Sequence, residues 1–193
     1  MRELVFLLEE DSAKAMLQSL LPRLLKADTF VRYITFQGKQ DLEKQLVRKI
    51  RGYQSDKVRF IVLRDLDSHP DCSRLKQRLL NLCIESGRVH QCLVRLACKE
   101  LESFYLADLL AVETALMIPG LAQKQQSKKF RQPDYLGSPV NELKTLTKNR
   151  YQKVAGSRVI GMHLNLDNQR SPSFRHLVTA IRRMENELIA EAG

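Results

Sequence analysis

The chain has 193 residues, of which 44% are hydrophobic and 28% charged, as expected for one globular domain with its own core. No apolar run approaches the roughly 18–20 residues of a membrane-spanning helix, and the first residues lack a secretory signal pattern. These features predict a cytoplasmic protein without a membrane partner. The four cysteines and four histidines show no metal-ligand spacing, and the net charge is +10.

The first part of the chain, residues 1–117, alternates between segments typical of strands and segments typical of helices. Runs of apolar, aromatic or β-branched residues predict four strands, at residues 4–8, 30–36, 58–63 and 91–97. Leucines at helical spacing predict a helix after each strand, with Ser12 as the first N-cap and the fourth helix at about residues 100–113. The alternation predicts an α/β fold, Rossmann-like, with about four mainly parallel strands between helices.

The second part of the chain is expected to be a helical extension of the same domain. Residues 118–139 contain three prolines and two glycines, which predict a long irregular connection with some mobility. Residues 140–193 are expected to pack on the core, with a short helix first and a final helix capped by Ser173. Residues 158–166 fit a strand and a helix equally well.

Carboxylates follow three of the four predicted strands. Glu9 follows the first strand, Asp65 and Asp67 follow the third, and Glu100 follows the fourth. Because right-handed crossovers bring the carboxyl ends of parallel strands to one edge, these side chains should converge. Converging carboxylates repel each other unless a cation is present, and Mg²⁺ prefers oxygen ligands. The pattern predicts a metal site, although aspartates in a turn and glutamates at helix N-termini have structural explanations as well.

The positive charge is concentrated in the second part of the chain. Residues 1–117 hold 19 Lys and Arg against 16 Asp and Glu, and residues 118–193 hold 13 against 6. A basic surface beside an acidic metal site suits DNA or RNA, although a solvated basic surface gives the same composition. The candidate phosphate contacts are Lys128, Lys129 and Arg131, on a flexible arm, and Arg175 in the final helix.

A strand ending in glutamate and a later strand ending in Asp-x-Asp resemble the Toprim pattern of topoisomerases, DnaG-type primases, OLD-family nucleases and RecR. More closely, the chain resembles the small stand-alone Toprim-like proteins classed as DUF4276. The similar stretches are residues 8–12, 63–67, 99–108 and 171–176. The resemblance implies that Glu9 is the general acid or base and that Asp65 and Asp67 bind the metal. Toprim proteins commonly have glycine after the glutamate, where Glu10 adds negative charge in this chain.

The leading hypothesis is Mg²⁺- or Mn²⁺-dependent phosphodiester chemistry on nucleic acid, by a nuclease. The resemblance implies a partner ATPase of the ABC or AAA type and a role in bacterial anti-phage defence or DNA processing. The chain itself has no phosphate-binding Gly-x-x-x-x-Gly-Lys-[Ser/Thr] loop. The alternative is a non-catalytic Toprim-like module that binds nucleic acid or regulates the ATPase. A receiver-like signalling domain is disfavoured by the basic second part, and a homo-oligomer is left open.

Overall fold

A computed structural model describes residues 2–191, which are arranged around a four-stranded parallel sheet. Its strands, in the spatial order β2-β1-β3-β4, are β1 (Glu3–Leu8), β2 (Phe30–Thr35), β3 (Val58–Asp65) and β4 (Cys92–Ala97). The predicted parallel α/β sheet is confirmed. Since Leu8 is in register with Leu63, the residue after β1 lies beside the last residues of β3.

Helices cover both faces of the sheet. These are α1 (Asp11–Leu20), α2 (Lys39–Arg51) and α3 (Cys72–Glu85). In β1, Phe6 belongs to the core under α1, whereas Val5 belongs to the core under α2 and α3. The strand is therefore buried on both faces along its whole length, which explains its uninterrupted apolar sequence.

The rest of the chain is mainly helical. Its helices are α4 (Glu102–Leu106), α5 (Leu109–Leu116), α6 (Pro139–Leu146), α7 (Lys153–Gly161) and α8 (Pro172–Ala190). The prediction of a single helix at about residues 100–113 is wrong, because two helices, α4 and α5, occupy this region. A new helix begins after Asp108, which caps α5 by accepting a hydrogen bond from the Ala111 amide at 3.2 Å. The ambiguous stretch at 158–166 is helical as far as Gly161. Within residues 2–191, no helix combines the length and the apolar character needed to cross a bilayer.

Residues 118–139 contain short 3₁₀ turns that are hydrogen-bonded to and packed against the core. Gln125 is buried, accepts a hydrogen bond from the Leu109 amide at 2.8 Å and donates to the carbonyl oxygens of Leu106 and Phe130. The side chain of Phe130 is buried as well. The mobility expected from the prolines and glycines is therefore opposed by specific buried hydrogen bonds.

Helix α7 packs directly against α1. A Cβ atom at Gly161 would lie 2.7 Å from the carbonyl oxygen of Met16 and 3.2 Å from its Cα, so the approach requires glycine. This packing sets the start of α7 beside the start of α1. Lys153 in α7 consequently reaches the Glu10 carboxylate, at 2.7 Å from Oε1.

Both predicted serine caps are displaced. Glu10 is the N-cap of α1, and Ser12 lies inside the helix with its hydroxyl donating to Glu10 Oε2 at 3.3 Å. Ser171, and not Ser173, caps α8 by accepting a hydrogen bond from the Phe174 amide at 3.1 Å. Each helix therefore begins before the predicted residue.

Candidate functional site

Glu9 and Asp65 meet at the carboxyl edge of the sheet, between its two central strands. Glu9 directly follows β1, Asp65 ends β3, and the Asp65 amide donates a hydrogen bond to Glu9 Oε2 at 3.2 Å. The side chains are buried, with Glu9 8% and Asp65 9% exposed. Since the strand order changes direction between β1 and β3, this is the place where open α/β sheets bind ligands.

Both carboxyl groups hold a proton more readily than in water. Burial raises the pKa of Asp65 well above its usual value, and the charges of Glu102, Glu9 and Glu10 raise it further. Burial also raises the pKa of Glu9, and the hydrogen bond from the Asp65 backbone opposes this rise. The site therefore favours neutralisation of its carboxylates, by protons or by a cation.

Glu102, two residues beyond the predicted site residue Glu100, is a further buried carboxylate, and its charge raises the pKa of Asp65. Its side chain is fully buried, and Oε1 accepts a hydrogen bond from the Tyr151 hydroxyl at 2.8 Å. Within residues 2–191, Oε2 has no hydrogen-bond partner. Burial raises the pKa of Glu102, and the Tyr151 hydrogen bond opposes the rise. No short sequence motif marks this contact, because Tyr151 lies 49 residues further along the chain.

Glu10 follows Glu9, at the position where the Toprim resemblance leads one to expect glycine. Its backbone is extended, with φ −147° and ψ 162°, a conformation that any residue adopts. Its carboxylate pairs with Lys153, whose Nζ lies 2.5 Å from Oε2. Burial lowers the pKa of Lys153, but the contact with Glu10 and the charges of Glu102 and Asp65 outweigh this effect and raise it. The extra negative charge is therefore compensated locally.

Asp67 lies at the open side of the site. Strand β3 ends at Asp65, and Asp67 has a left-handed backbone (φ 51°) with its amide donating to the Lys99 carbonyl oxygen at 2.6 Å. The extended geometry expected for the Asp-x-Asp pair thus stops at its first member. The Asp67 carboxylate is 32% exposed and pairs with Lys39 at 2.9 Å.

Arg64 compensates the site from the side of α2. Its guanidinium lies 3.8 Å from Glu9 Oε2 and forms a second ion pair with Glu43.

The carboxylates of the site are Glu9, Glu10, Asp65, Asp67 and Glu102. Three cationic side chains face them, namely Lys39, Arg64 and Lys153. Five carboxyl groups thus face three cationic side chains, so the carboxyl groups are in excess.

The Glu100 side chain is hydrogen-bonded to the first turn of α6. Its Oε2 accepts a hydrogen bond from the Val140 amide at 2.7 Å. This contact satisfies an amide in the first turn of the helix, where a carboxylate is also favoured by the helix dipole. Glu100 therefore has a structural partner, and metal binding by this residue stays a prediction.

The predicted phosphate contacts make no hydrogen bond or ion pair with Glu9 or Asp65 in the part of the chain that the structure describes. Lys129 pairs with Glu142 at 2.6 Å, and its neighbour Lys128 is exposed. Arg131 donates to the Gln126 carbonyl oxygen at 3.0 Å, and Arg175 donates to Gln169 Oε1 at 2.9 Å. Their role in binding nucleic acid stays a prediction.

A divalent cation fits this site as a partly hydrated ion. No three His, Cys, Asp or Glu side chains between residues 2 and 191 already converge on one point as a ligand set. Mg²⁺ commonly takes only one or two protein carboxylates and completes its shell with water and substrate phosphate. The buried side chains of Glu9 and Asp65 supply that number of carboxylates, provided that both are ionised, and their raised pKa values oppose this.

The parallel order β2-β1-β3-β4, with acids after β1 and at the end of β3, defines a Toprim-like α/β fold. The solved structure of the C-terminal region of the Burkholderia pseudomallei OLD protein has a similar fold, with a TM-score of 0.52 and 16% identity. The match covers 94% of this chain and 97% of that one. The chain belongs to the family described as "Domain of unknown function (DUF4276)", whose model matches residues 8–182. No curated protein sequence matches it significantly.

Proposed function

We propose that this chain cleaves phosphodiester bonds in nucleic acid with the help of Mg²⁺ or Mn²⁺. The observation that carries the proposal is the hydrogen bond from the Asp65 amide to the Glu9 carboxylate at the ligand-binding edge of the sheet, where carboxyl groups outnumber cations. The likeness of the fold to the OLD protein's C-terminal region supports a nuclease-related module.

Glu9 is the residue that we assign to proton transfer. Because burial raises its pKa, it gives up and takes back a proton closer to neutral pH than an exposed glutamate does. The hydrogen bond from the Asp65 amide holds Oε2 and leaves Oε1 for exchange with substrate or water. The neighbouring Arg64 keeps the side chain within the site.

Glu9 and Asp65 are the residues that would hold the cation, with Asp67 at the open side. When bound, a divalent cation supplies charge stabilisation at the phosphate and lowers the pKa of its bound water. Asp65 must lose its proton to act as a ligand, and the nearby Lys153 charge favours the ionised form. To contribute an oxygen to the cation, Asp67 would have to give up its ion pair with Lys39.

Nucleic acid is the proposed substrate because the chain carries a net charge of +10, most of it in residues 118–193. The OLD structure with the similar fold is one region of a longer protein, which supports a companion for this chain as well. We propose an ATPase of the ABC or AAA type, in a bacterial defence or DNA-processing system of the cytoplasm.

A cleavage assay tests the proposal. The purified chain is incubated with labelled DNA and RNA, with Mg²⁺, with Mn²⁺ and with chelator, beside Glu9→Gln, Asp65→Asn and the control Asp56→Asn. Asp56 has 97% of its side chain exposed and lies outside the site. We expect cleavage that requires the cation, is lost in the first two variants and is kept in the control. Cation-dependent cleavage by both site variants at the wild-type rate would contradict the assignment.

A second candidate is a non-catalytic module that binds nucleic acid or regulates the ATPase. One observation favours it, since no preformed set of three metal ligands exists within residues 2–191. This candidate predicts binding that weakens steeply with salt and no cleavage with any cation or companion ATPase. The cleavage assay and a salt titration of binding together separate the two functions.

A further inference from the structure

A cleft of about 530 Å³ lies beside β4, outside the carboxylate site. One part of its wall is apolar and consists of Val94, Leu96 and Pro172. The ring of Tyr135 lines the cleft as well and is 80% exposed. The volume is in the range of clefts that take small molecules, and the exposed ring offers a flat surface for stacking.

The other part of the cleft carries two cationic side chains, Lys76 and Arg95. Arg95 donates hydrogen bonds to the carbonyl oxygens of His176 at 3.1 Å and Val94 at 2.8 Å, which fixes the guanidinium in place. Burial lowers the pKa of Arg95, and the charge of Arg183 lowers it further. Lys76 is exposed and forms no ion pair within residues 2–191. These positive charges therefore lack an anionic partner.

The carboxylate that lines the cleft is already occupied. Asp134 Oδ1 accepts a hydrogen bond from the Ser171 hydroxyl at 2.6 Å, and Oδ2 accepts one from the Ser173 amide at 2.9 Å. Both oxygens thus serve the start of α8, and Asp134 is buried. An anion in the cleft meets two cationic side chains, Lys76 and Arg95, and one carboxylate whose two oxygens already accept hydrogen bonds.

The cleft and the carboxylate site share an edge of the sheet. Leu96 and Cys98 of the cleft lie at the end of β4, where Ala97 is in register with Asp65. The chains continue side by side, because the Leu66 amide donates to the Ala97 carbonyl oxygen at 2.9 Å. Neighbouring strands are about 4.8 Å apart, so a strand of nucleic acid that crosses this edge passes both features.

We propose that this cleft binds one unpaired nucleotide of the substrate strand, with the base on Tyr135 and the apolar wall and a phosphate on Lys76 and Arg95. The inference rests on the proposed function and narrows its substrate class to nucleic acid with a single-stranded segment. A paired base must first be unpaired and unstacked to lie on the ring, which costs free energy, whereas an unpaired base is already free to do so. An acidic peptide would satisfy the cationic side chains but leave the aromatic and apolar wall uncovered.

The test is fluorescence anisotropy with labelled 12-residue oligothymidine and oligouridine, in chelator so that no cleavage occurs. The variants are Tyr135→Ala and Lys76→Ala, both at exposed side chains. The matched controls are Phe30→Ala, which removes another exposed ring, and Lys49→Ala near the end of α2. The DNA and RNA arms show which backbone the cleft prefers, and a blunt duplex serves as the paired ligand.

We expect Tyr135→Ala to weaken single-strand binding about 5- to 30-fold and to leave duplex binding unchanged. Lys76→Ala should lower the slope of log affinity against log salt by about 0.7, and both controls should bind as the wild type does. Equal binding by wild type and both cleft variants would overturn the inference. Binding of a labelled oligoglutamate that depends on Tyr135 and Lys76, without such dependence for oligonucleotides, would overturn it in favour of an acidic peptide.

The outcome is separable from the proposed function. Metal-dependent cleavage by a chain whose binding ignores Tyr135 and Lys76 would overturn the cleft inference alone. Dependence of binding on these two residues, in a chain that shows no cleavage with any cation, would support the cleft and overturn the catalytic proposal.

Discussion

The hydroxyl of Tyr151 is the partner that makes the buried Glu102 carboxylate tolerable. It lies 2.8 Å from Glu102 Oε1 and also contacts Ser157 Oγ at 3.2 Å. Since Oε2 has no partner within residues 2–191, Tyr151→Phe removes the side-chain hydrogen bond that holds this carboxylate. A hydrogen bond to a charged group contributes about 1.5–3 kcal/mol. For a chain of this size, a loss of about 2 kcal/mol lowers the Tm by roughly 4–8 °C.

The loss should depend on pH. Burial raises the pKa of Glu102, and the Tyr151 hydroxyl stabilises its ionised form. The variant therefore has a still higher Glu102 pKa, and the cost of Tyr151→Phe is full above that value and shrinks as the pH falls below it toward the wild-type pKa. Urea and thermal unfolding at about pH 8 and about pH 5 measure the stability lost in Tyr151→Phe at each pH, and Tyr135→Phe, at an exposed tyrosine, is the control. A loss below about 0.5 kcal/mol at the higher pH, or a loss that is larger at the lower pH, would refute the reasoning.

Three further predictions concern stability. Gly161→Ala should cost about 1–3 kcal/mol in urea unfolding, because its Cβ would meet the Met16 backbone; an unchanged midpoint would contradict the close approach of α7 to α1. Asp134→Ala should lower the free energy of unfolding by about 1–2 kcal/mol, because it removes the acceptor of two hydrogen bonds at the start of α8. We expect a small loss of helical circular dichroism from that end of the helix, while the sheet stays folded. Asp65→Asn should be more stable than the wild type at high pH in chelator, since the wild type loses stability as pH rises through the raised pKa of Asp65; an advantage that grows toward low pH would show the wrong sign.

The sheet could be predicted because burial leaves a clear mark on the sequence. Strand β1 is covered on both faces, so its residues are apolar without alternation, and the acid after it stands out. The convergence of Glu9 and Asp65 followed from the common direction of parallel strands. The spatial order of the strands carries no such mark, yet it is the adjacency of β1 and β3 that brings the two acids into contact.

The position of Glu102 near Asp65 could not be predicted, because it depends on the turn at Lys99 and on the distant Tyr151. Lys99 has a left-handed backbone (φ 62°), and the chain beyond it sends Glu100 to the start of α6 and buries Glu102 near Asp65. Sequence spacing favoured Glu100, since it comes first after the strand. A glutamate in the first turn of a helix also has an ordinary explanation in the helix dipole, which hides a buried one such as Glu102.

The helix boundaries show the same limit. Ser12 and Ser173 are residues that commonly cap helices, but the caps are Glu10 and Ser171. Ser173 is displaced because its amide donates to Asp134, a residue of the segment that the sequence suggested was mobile. Local pattern located the helices, and contacts over long sequence distances set where they begin.

The central claim is that Glu9 and Asp65 bind a divalent cation, and calorimetric titration with Mn²⁺ tests it without knowledge of the substrate. The titration is made on the wild type, Asp65→Asn and the control Asp56→Asn, with and without an oligonucleotide that supplies phosphate ligands. We predict binding by the wild type and the control, and a loss of about tenfold or more in affinity for Asp65→Asn. Equal Mn²⁺ affinity in all three proteins, or no binding even with the oligonucleotide present, would contradict the account.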